Sequence, residues 1–107
     1  MTPEEKSEMF WDLAKPIMLT KNAQKGTMMG FPCLRTETGK FFASLEKNSN
    51  DMIIKVPADR VKELIGSGVA QPFAPNGRTF KEWALISLPE REVWHDLLEE
   101  ALAFAEG

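Results

Sequence analysis

The chain of 107 residues has the length of one domain, and its hydrophobic content of 43% argues against intrinsic disorder. Its single cysteine excludes an intramolecular disulfide, and no apolar run approaches the roughly 20 residues that span a bilayer. The acidic start MTPEEKSEMF is unlike a secretory signal, so we expect one domain over residues 1–107, in the cytoplasm and without membrane contact.

The net charge of −3 is unevenly distributed along the chain. Residues 15–62 carry nine basic and four acidic side chains, whereas residues 63–107 carry three basic and eight acidic ones. The overall sign is a weak argument against a dedicated nucleic-acid binder. Two interpretations of the basic middle segment are open. Its cations are either distributed over the ordinary solvent-exposed faces of the separate helices and strands, or they form one surface that binds an anion or an acidic partner.

The first residues are typical of a helix N-terminus. Thr2 suits the cap position, Pro3 the first helical position, and Glu5 completes a capping box. Apolar residues at helical spacing follow, at Met9, Phe10, Leu13, Ala14 and Ile17. Pro16 is expected to end or kink this helix, and residues 19–26 are expected to form a connection.

Three antiparallel strands are predicted next, joined by short turns. The strands are expected at residues 27–35, Lys40–Glu46 and Met52–Val56. Glu37-Thr38-Gly39 is typical of a hairpin turn, and residues 48–51 predict a second turn. Connections this short leave no room for a crossover helix, so the strands must be antiparallel.

Strict alternation in the second strand has a consequence for assembly. It places Phe41, Ala43 and Leu45 on one face and Phe42 on the other. The strand Glu82–Leu88 is also apolar on both faces. Helices that cover one face of the sheet would leave Phe42 and the apolar residues on the same side of Glu82–Leu88 exposed to water. This predicts a homodimer with Phe42 at or near the contact.

The second half of the chain completes an α+β fold. A short helix is expected over Ala58–Ile65, a turn at residues 75–77, a central strand over Glu82–Leu88, and a last helix from Pro89. The order α-β-β-β-α-β-β-α predicts a two-layer sandwich with helices on one face of an antiparallel sheet.

This element order, together with several short motifs, resembles the TfoX N-terminal domain and the related MmcQ/YjbR-like proteins over residues 9–105. The motifs are Met28-Met29-Gly30-Phe31, Gly39-Lys40-Phe41-Phe42-Ala43, Ile53-Ile54-Lys55, Pro72-Phe73 and Trp83-Ala84-Leu85-Ile86. Where the TfoX-type pattern usually has a glycine pair, this chain has a lone glycine. The resemblance implies the fold just described, and it implies a regulatory role of the kind associated with TfoX-type competence regulators or the DNA binding attributed to YjbR-like proteins.

Candidate functional residues are few. Cys33 would need a nearby base to act as a nucleophile, and the only histidine, His95, falls on the last helix beside Glu99. One cysteine and one histidine predict no metal site, and we expect no cofactor and no catalytic residues. Lys40 and Lys55 fall on neighbouring strands with Arg35 beyond the turn, which makes them a candidate anion site.

We therefore expect a non-enzymatic domain that binds a protein partner or a second copy of itself, with Arg35, Lys40, Phe42 and Lys55 as candidate binding residues. One alternative is a nucleic-acid-binding module that uses a basic sheet face, for which weak binding is expected. That module would use Arg35, Lys40, Lys55, Arg60 and Lys62. The other alternative is a small-ligand binder or enzyme with a cleft near Cys33 and Trp83.

Overall fold

The structure, a computed structural model, describes residues 1–20, 23–28 and 30–107. Three helices and six strands lie in these ranges. They are α1 (Pro3–Thr20), β1 (Ala23–Met28), β2 (Phe31–Thr36), β3 (Phe41–Leu45), β4 (Met52–Lys55), α2 (Ala58–Gly66), β5 (Ala70–Pro72), β6 (Trp83–Ile86) and α3 (Arg91–Glu106). No helix among the described residues is both long and apolar enough to cross a bilayer.

The strands form one antiparallel sheet in the order β1-β2-β3-β4-β6-β5. The predicted α+β class with an antiparallel sheet is confirmed. β6 lies between β4 and β5, as its apolar character on both faces predicted. The sheet contains one strand more than expected, so that four strands precede α2.

The additional strand is β1, in the segment expected to be a connection. The single strand predicted over residues 27–35 is a hairpin of β1 and β2, in which Gly30 takes a positive φ of 85° at the turn. β1 has a polar sequence, AQKGTM, so neither alternation nor β-propensity marks it. Its pairing with β2 makes it the edge of the sheet. Residues 21 and 22 of the predicted connection lie outside the described residues.

Helix α1 begins as predicted and ends later. The Thr2 N–H donates to Glu5 Oε1 at 3.0 Å, and the Glu5 N–H donates to Thr2 Oγ1 at 3.1 Å, which is the predicted capping box. Of the two outcomes expected at Pro16, an end or a kink, the end does not occur, since α1 continues through this residue to Thr20. Pro16 lies on the exposed side of a helix whose opposite side is buried in the core, and that packing outweighs the cost of the proline.

One face of the sheet carries the hydrophobic core and all three helices. Buried side chains of α1, α2 and α3 share a single cluster with the strand residues that point to this face. The strand residues include Leu34, Ala43, Ile54, Ala84 and Ile86, which are matched across the sheet by the pairing register. Trp94 of α3 is fully buried, and its indole N–H donates to the Leu88 carbonyl at 2.9 Å.

The prediction that Phe42 lies on the second face is wrong. Its side chain has no exposed surface and belongs to the core cluster. The cause is a register shift between β2 and β3, where Leu34 pairs with Ala43 but the next residue, Arg35, pairs with Phe41. A bulge of this kind adds one residue to a strand and breaks strict alternation, so Phe42 joins the core beside Ala43.

Polar contacts hold the helices to one another and to the turns of the sheet. Lys6 Nζ lies 2.7 Å from Asp51 Oδ1, with both side chains largely buried, and this pair joins α1 to the β3–β4 turn. Arg60 binds Glu100 through two hydrogen bonds of 2.7 and 3.1 Å, which join α2 to α3. These contacts join α1 to a turn of the sheet and α2 to α3. All three helices lie on one side of the sheet.

The packing of α3 is testable by a pair of leucine substitutions. Leu98 is fully buried, whereas Leu19 at the end of α1 is 85% exposed. We expect Leu98→Ala to lower the free energy of unfolding by about 2–5 kcal/mol, because it removes buried methyl groups and leaves a cavity. Leu19→Ala should change it by less than about 0.5 kcal/mol. Chemical denaturation measures both, and equal small losses would mean that α3 does not cover the core.

Candidate functional site

The face of the sheet opposite the core has no helix packed on it, and we call it the helix-free face. The pairing register places one continuous row of side chains on it, running from edge to edge through Gly26, Cys33, Ser44, Ile53, Leu85 and Gln71. Cys33 and Ile53 are buried but do not belong to the core cluster. They are therefore covered by neighbouring side chains of the same face.

Four larger side chains cross the helix-free face beside this row, and we call them the cation–aromatic row. Arg35 on β2 is paired with Phe41 on β3, and Lys55 on β4 is paired with Trp83 on β6. In the order of the strands, β2-β3-β4-β6, the four residues therefore alternate between a cation and an aromatic ring, while the pairing of β3 with β4 ends at Ala43 and Ile54 and does not itself match Phe41 to Lys55. All four side chains are half-buried, so their outer surfaces are accessible.

One glycine, Gly26, makes room for Arg35, and a second, Gly39, lies at the far end of its side chain. A Cβ placed on Gly26 would lie 2.8 Å from Arg35 Cδ, so only glycine lets the arginine side chain lie over β1 in this position. Gly39 has a φ of 91°, which favours glycine, and a Cβ there would lie 3.9 Å from Arg35 Nη1. The side chain of Arg35 thus extends from β1 toward the β2–β3 turn along the end of the sheet.

The predicted β2–β3 turn is confirmed and presents a second cation. The Gly39 N–H donates to the Thr36 carbonyl at 2.9 Å, and the Lys40 N–H donates to Thr36 Oγ1 at 3.1 Å. These bonds fix the backbone of the turn, while the Lys40 side chain is exposed to solvent. Lys40 therefore adds a charge to the same end of the sheet that carries Arg35 and Lys55.

The loop between β5 and β6 brings further cations and aromatic rings to this end. The rings of Phe73 and Phe80 have centroids 5.9 Å apart, and the Arg78 guanidinium lies 5.9 Å from the centre of the Phe80 ring. Lys81 follows in the same loop and is exposed. Phe80 is 39% exposed, one of the few large apolar side chains at the surface.

We call this region the basic end. Its five cations are Arg35, Lys40, Lys55, Arg78 and Lys81, and its two acidic side chains are Glu37 and Glu82. Among the described residues, none of the five cations has a carboxylate within 4.0 Å, whereas Lys6, Arg60 and Arg91 in the helix layer are all paired. The charge of the basic end is thus available to an anion.

The structure separates the predicted site residues into two groups. Arg35, Lys40 and Lys55 lie at the same end of the sheet. Phe42 does not join them because it lies in the core. Arg60 and Lys62, included in the nucleic-acid alternative, belong to α2 on the other side of the sheet, and Arg60 is already bound to Glu100.

The cysteine and the histidine considered for a nucleophilic site lie on opposite sides of the sheet. Cys33 lies on the helix-free face, whereas His95 lies on α3, which covers the opposite face. His95 Nε2 is 3.7 Å from Glu99 Oε1, which confirms the predicted pairing along α3. Burial raises the pKa of the Cys33 thiol, an effect that the nearby positive charge of Arg35 opposes only in part.

Surface depressions occur elsewhere, between α1 and α3. Two open hollows of about 320 and 520 Å³ adjoin each other at Arg91, and one is lined by Leu13 and His95, the other by Met9 and Pro89. Arg91 forms an ion pair with Asp12 and holds the pKa of that carboxyl below its usual range. Within the described part of the chain, no cluster of three histidine, cysteine or carboxylate side chains could hold a metal ion.

The sequence did not reveal which aromatic rings lie beside the cations. The Lys55–Trp83 pair depends on the register of two strands that are almost thirty residues apart in the chain. The Arg35–Phe41 pair depends on the bulge. Gly26 offered a weak signal, since a glycine inside a strand often marks the close approach of another group, but its strand was itself unrecognised.

Comparison with protein-family models and with curated proteins does not identify a family for the chain. No protein-family model matches the chain, and no curated protein matches it significantly. The resemblance to TfoX-type and YjbR-like proteins therefore stays a prediction.

The environment of Cys33 is testable by its reactivity. Its thiol is fully buried and its pKa is raised, so little thiolate is exposed to reagent at pH 7. We expect a disulfide reagent to modify it slowly in the native protein and rapidly after denaturation. Fast modification of the folded protein, followed spectroscopically, would show that the thiol is accessible and would restore the nucleophile hypothesis.

Proposed function

We propose that this protein is a nucleic-acid-binding domain and that the cation–aromatic row is its contact surface. The observation that carries the proposal is the alternation Arg35, Phe41, Lys55, Trp83 on the helix-free face, next to further unpaired cations. Cations attract phosphates, and flat rings stack on bases. A sheet face that alternates the two offers both contacts to one strand.

The charge distribution supports a polyanionic partner. In the part of the chain that the structure describes, the five cations of the basic end have no carboxylate partners, whereas the acidic side chains of α1 and α3 lie in the helix layer on the other side of the sheet. A polyanion would therefore be attracted to the helix-free face and repelled from the helices. The net charge of −3 makes this attraction modest, so we expect weak, salt-sensitive binding.

A charge-matched pair of double variants tests the proposal. Arg35→Ala with Lys55→Ala removes two cations of the row, and Lys15→Ala with Lys47→Ala removes two exposed cations elsewhere. Fluorescence anisotropy with labelled oligonucleotides, repeated over a range of salt, gives the slope of log affinity against log salt. We expect the first double variant to lower that slope by about 0.7 for each lost phosphate contact and the second to leave it unchanged.

Two results would contradict nucleic-acid binding by this surface. The first is a wild-type protein that binds no oligonucleotide even at low salt. The second is an equal loss of affinity in the two double variants, which would mean that net charge alone governs the interaction.

A second candidate function is docking of a protein, including a second copy of this chain, as the sequence analysis expected. The specific observation is that Phe31 is 44% exposed on the helix-free face, where Leu85 is also half-exposed. Exposed apolar side chains on one face favour an interface. Such a module would fit the regulatory role that the resemblance to TfoX-type domains implies.

Self-association through this face is tested with Phe31→Glu. Phe42→Glu is unsuitable because it would place a carboxylate in the core and unfold the protein. If the wild type dimerises through the helix-free face, sedimentation over a concentration series should show a dimer that Phe31→Glu dissociates. A wild type that remains monomeric throughout would exclude the homodimer, and a dimer untouched by the substitution would place the contact elsewhere.

A further inference from the structure

We infer that the helix-free face selects unpaired, single-stranded nucleic acid, with two bases stacked on Phe41 and Trp83 and the phosphate between them on Lys55; this inference rests on the function proposed above. The first argument for this inference is the order of the strands in the sheet. β4 lies between β3 and β6, so the strand that carries Lys55 lies between the strands that carry the two rings, and Arg35 is paired with Phe41 from β2 on the far side. The row thus repeats the order of a strand: base, phosphate, base, phosphate.

The distance between the two rings decides which form of nucleic acid fits. Phe41 and Trp83 are separated by two strand spacings, or about 10 Å. Successive bases in a B-form strand are stacked only about 3.4 Å apart. Two neighbouring bases can therefore occupy both rings only if the strand is extended and its bases are unstacked.

The shape of the surface also favours single-stranded over double-stranded nucleic acid. The rings lie on a sheet, half-buried among their neighbours, and can offer a flat face only to a base that has left its stack. In a duplex the faces of the bases are covered by the pairs above and below, so a duplex could use only the cations. Stacking accepts every base, which predicts little dependence on sequence.

DNA and RNA both contain the phosphates and base rings that the cation–aromatic row would bind. Neither a phosphate nor the face of a base distinguishes them, and the difference between them lies in the 2′-hydroxyl. We therefore expect oligothymidylate and oligouridylate of about ten nucleotides to bind similarly, a length within the site sizes of known single-strand-binding folds.

The experiment uses Trp83 as both platform and probe. Trp83→Leu keeps an apolar side chain but removes the flat ring, whereas Trp83→Phe keeps a ring and removes the fluorescence of this one indole. Trp94 is fully buried and Trp11 lies on α1 in the helix layer, so quenching by an oligonucleotide on the helix-free face should come mainly from Trp83. Circular dichroism and thermal melting establish that each variant is folded, and Phe41→Leu serves as a second variant of the row.

We expect the single strands to bind at least tenfold more tightly than a duplex of the same length and to quench the fluorescence of the wild type. Trp83→Leu and Phe41→Leu should each weaken single-strand binding about fivefold to a hundredfold. Neither should weaken duplex binding. Trp83→Phe should retain binding while losing the quenching.

The outcomes separate this inference from the proposed function. Binding of the duplex as tight as that of single strands, or single-strand binding that both leucine variants leave unchanged, would overturn single-strand selection while leaving nucleic-acid binding in place. Absence of binding to oligothymidylate, oligouridylate and the duplex alike would overturn both.

Discussion

The register shift between β2 and β3 is the constraint on which both faces of the sheet depend. Because Leu34 pairs with Ala43 and Arg35 with Phe41, the one additional residue, Phe42, is accommodated in the core. The same shift leaves Phe41 beside Arg35 on the helix-free face. Without it, strict alternation would move Phe42 out of the core to the helix-free face, and the largest side chain that β3 contributes to the core would be lost.

The two sides of the sheet differ in charge as well as in packing. In the helix layer, three cations are paired with carboxylates across elements, Lys6 with Asp51, Arg60 with Glu100 and Arg91 with Asp12. At the basic end the cations have no such partners among the described residues. The sequence shows a basic middle segment, and the fold places three of its cations, Arg35, Lys40 and Lys55, at one end of the sheet together with Arg78 and Lys81 from the later β5–β6 loop.

Local patterns predicted the fold well and the candidate site only in part. The capping box, the turn at Gly39, the strands β3, β4 and β6 and the last helix, α3, follow from short-range chemistry, and each is recognisable in the sequence. β1 was missed because its polar residues are held in a strand by pairing with β2. The neighbours of Arg35 and Lys55 depend on a bulge and on a long-range register, and neither leaves a periodic trace in the sequence.

The packing of α1 against α3 has a consequence for how the domain folds during its synthesis. The hairpins from β1 to β4 join neighbours in the chain and can form as soon as they leave the ribosome. The apolar stripe of α1, including Phe10, shares its cluster with residues of α3, more than eighty positions later. α1 can pack on β1 early, but the part of its apolar surface that contacts α3 stays uncovered until α3 has been synthesised, and over that interval the nascent chain is exposed to aggregation and to chaperones.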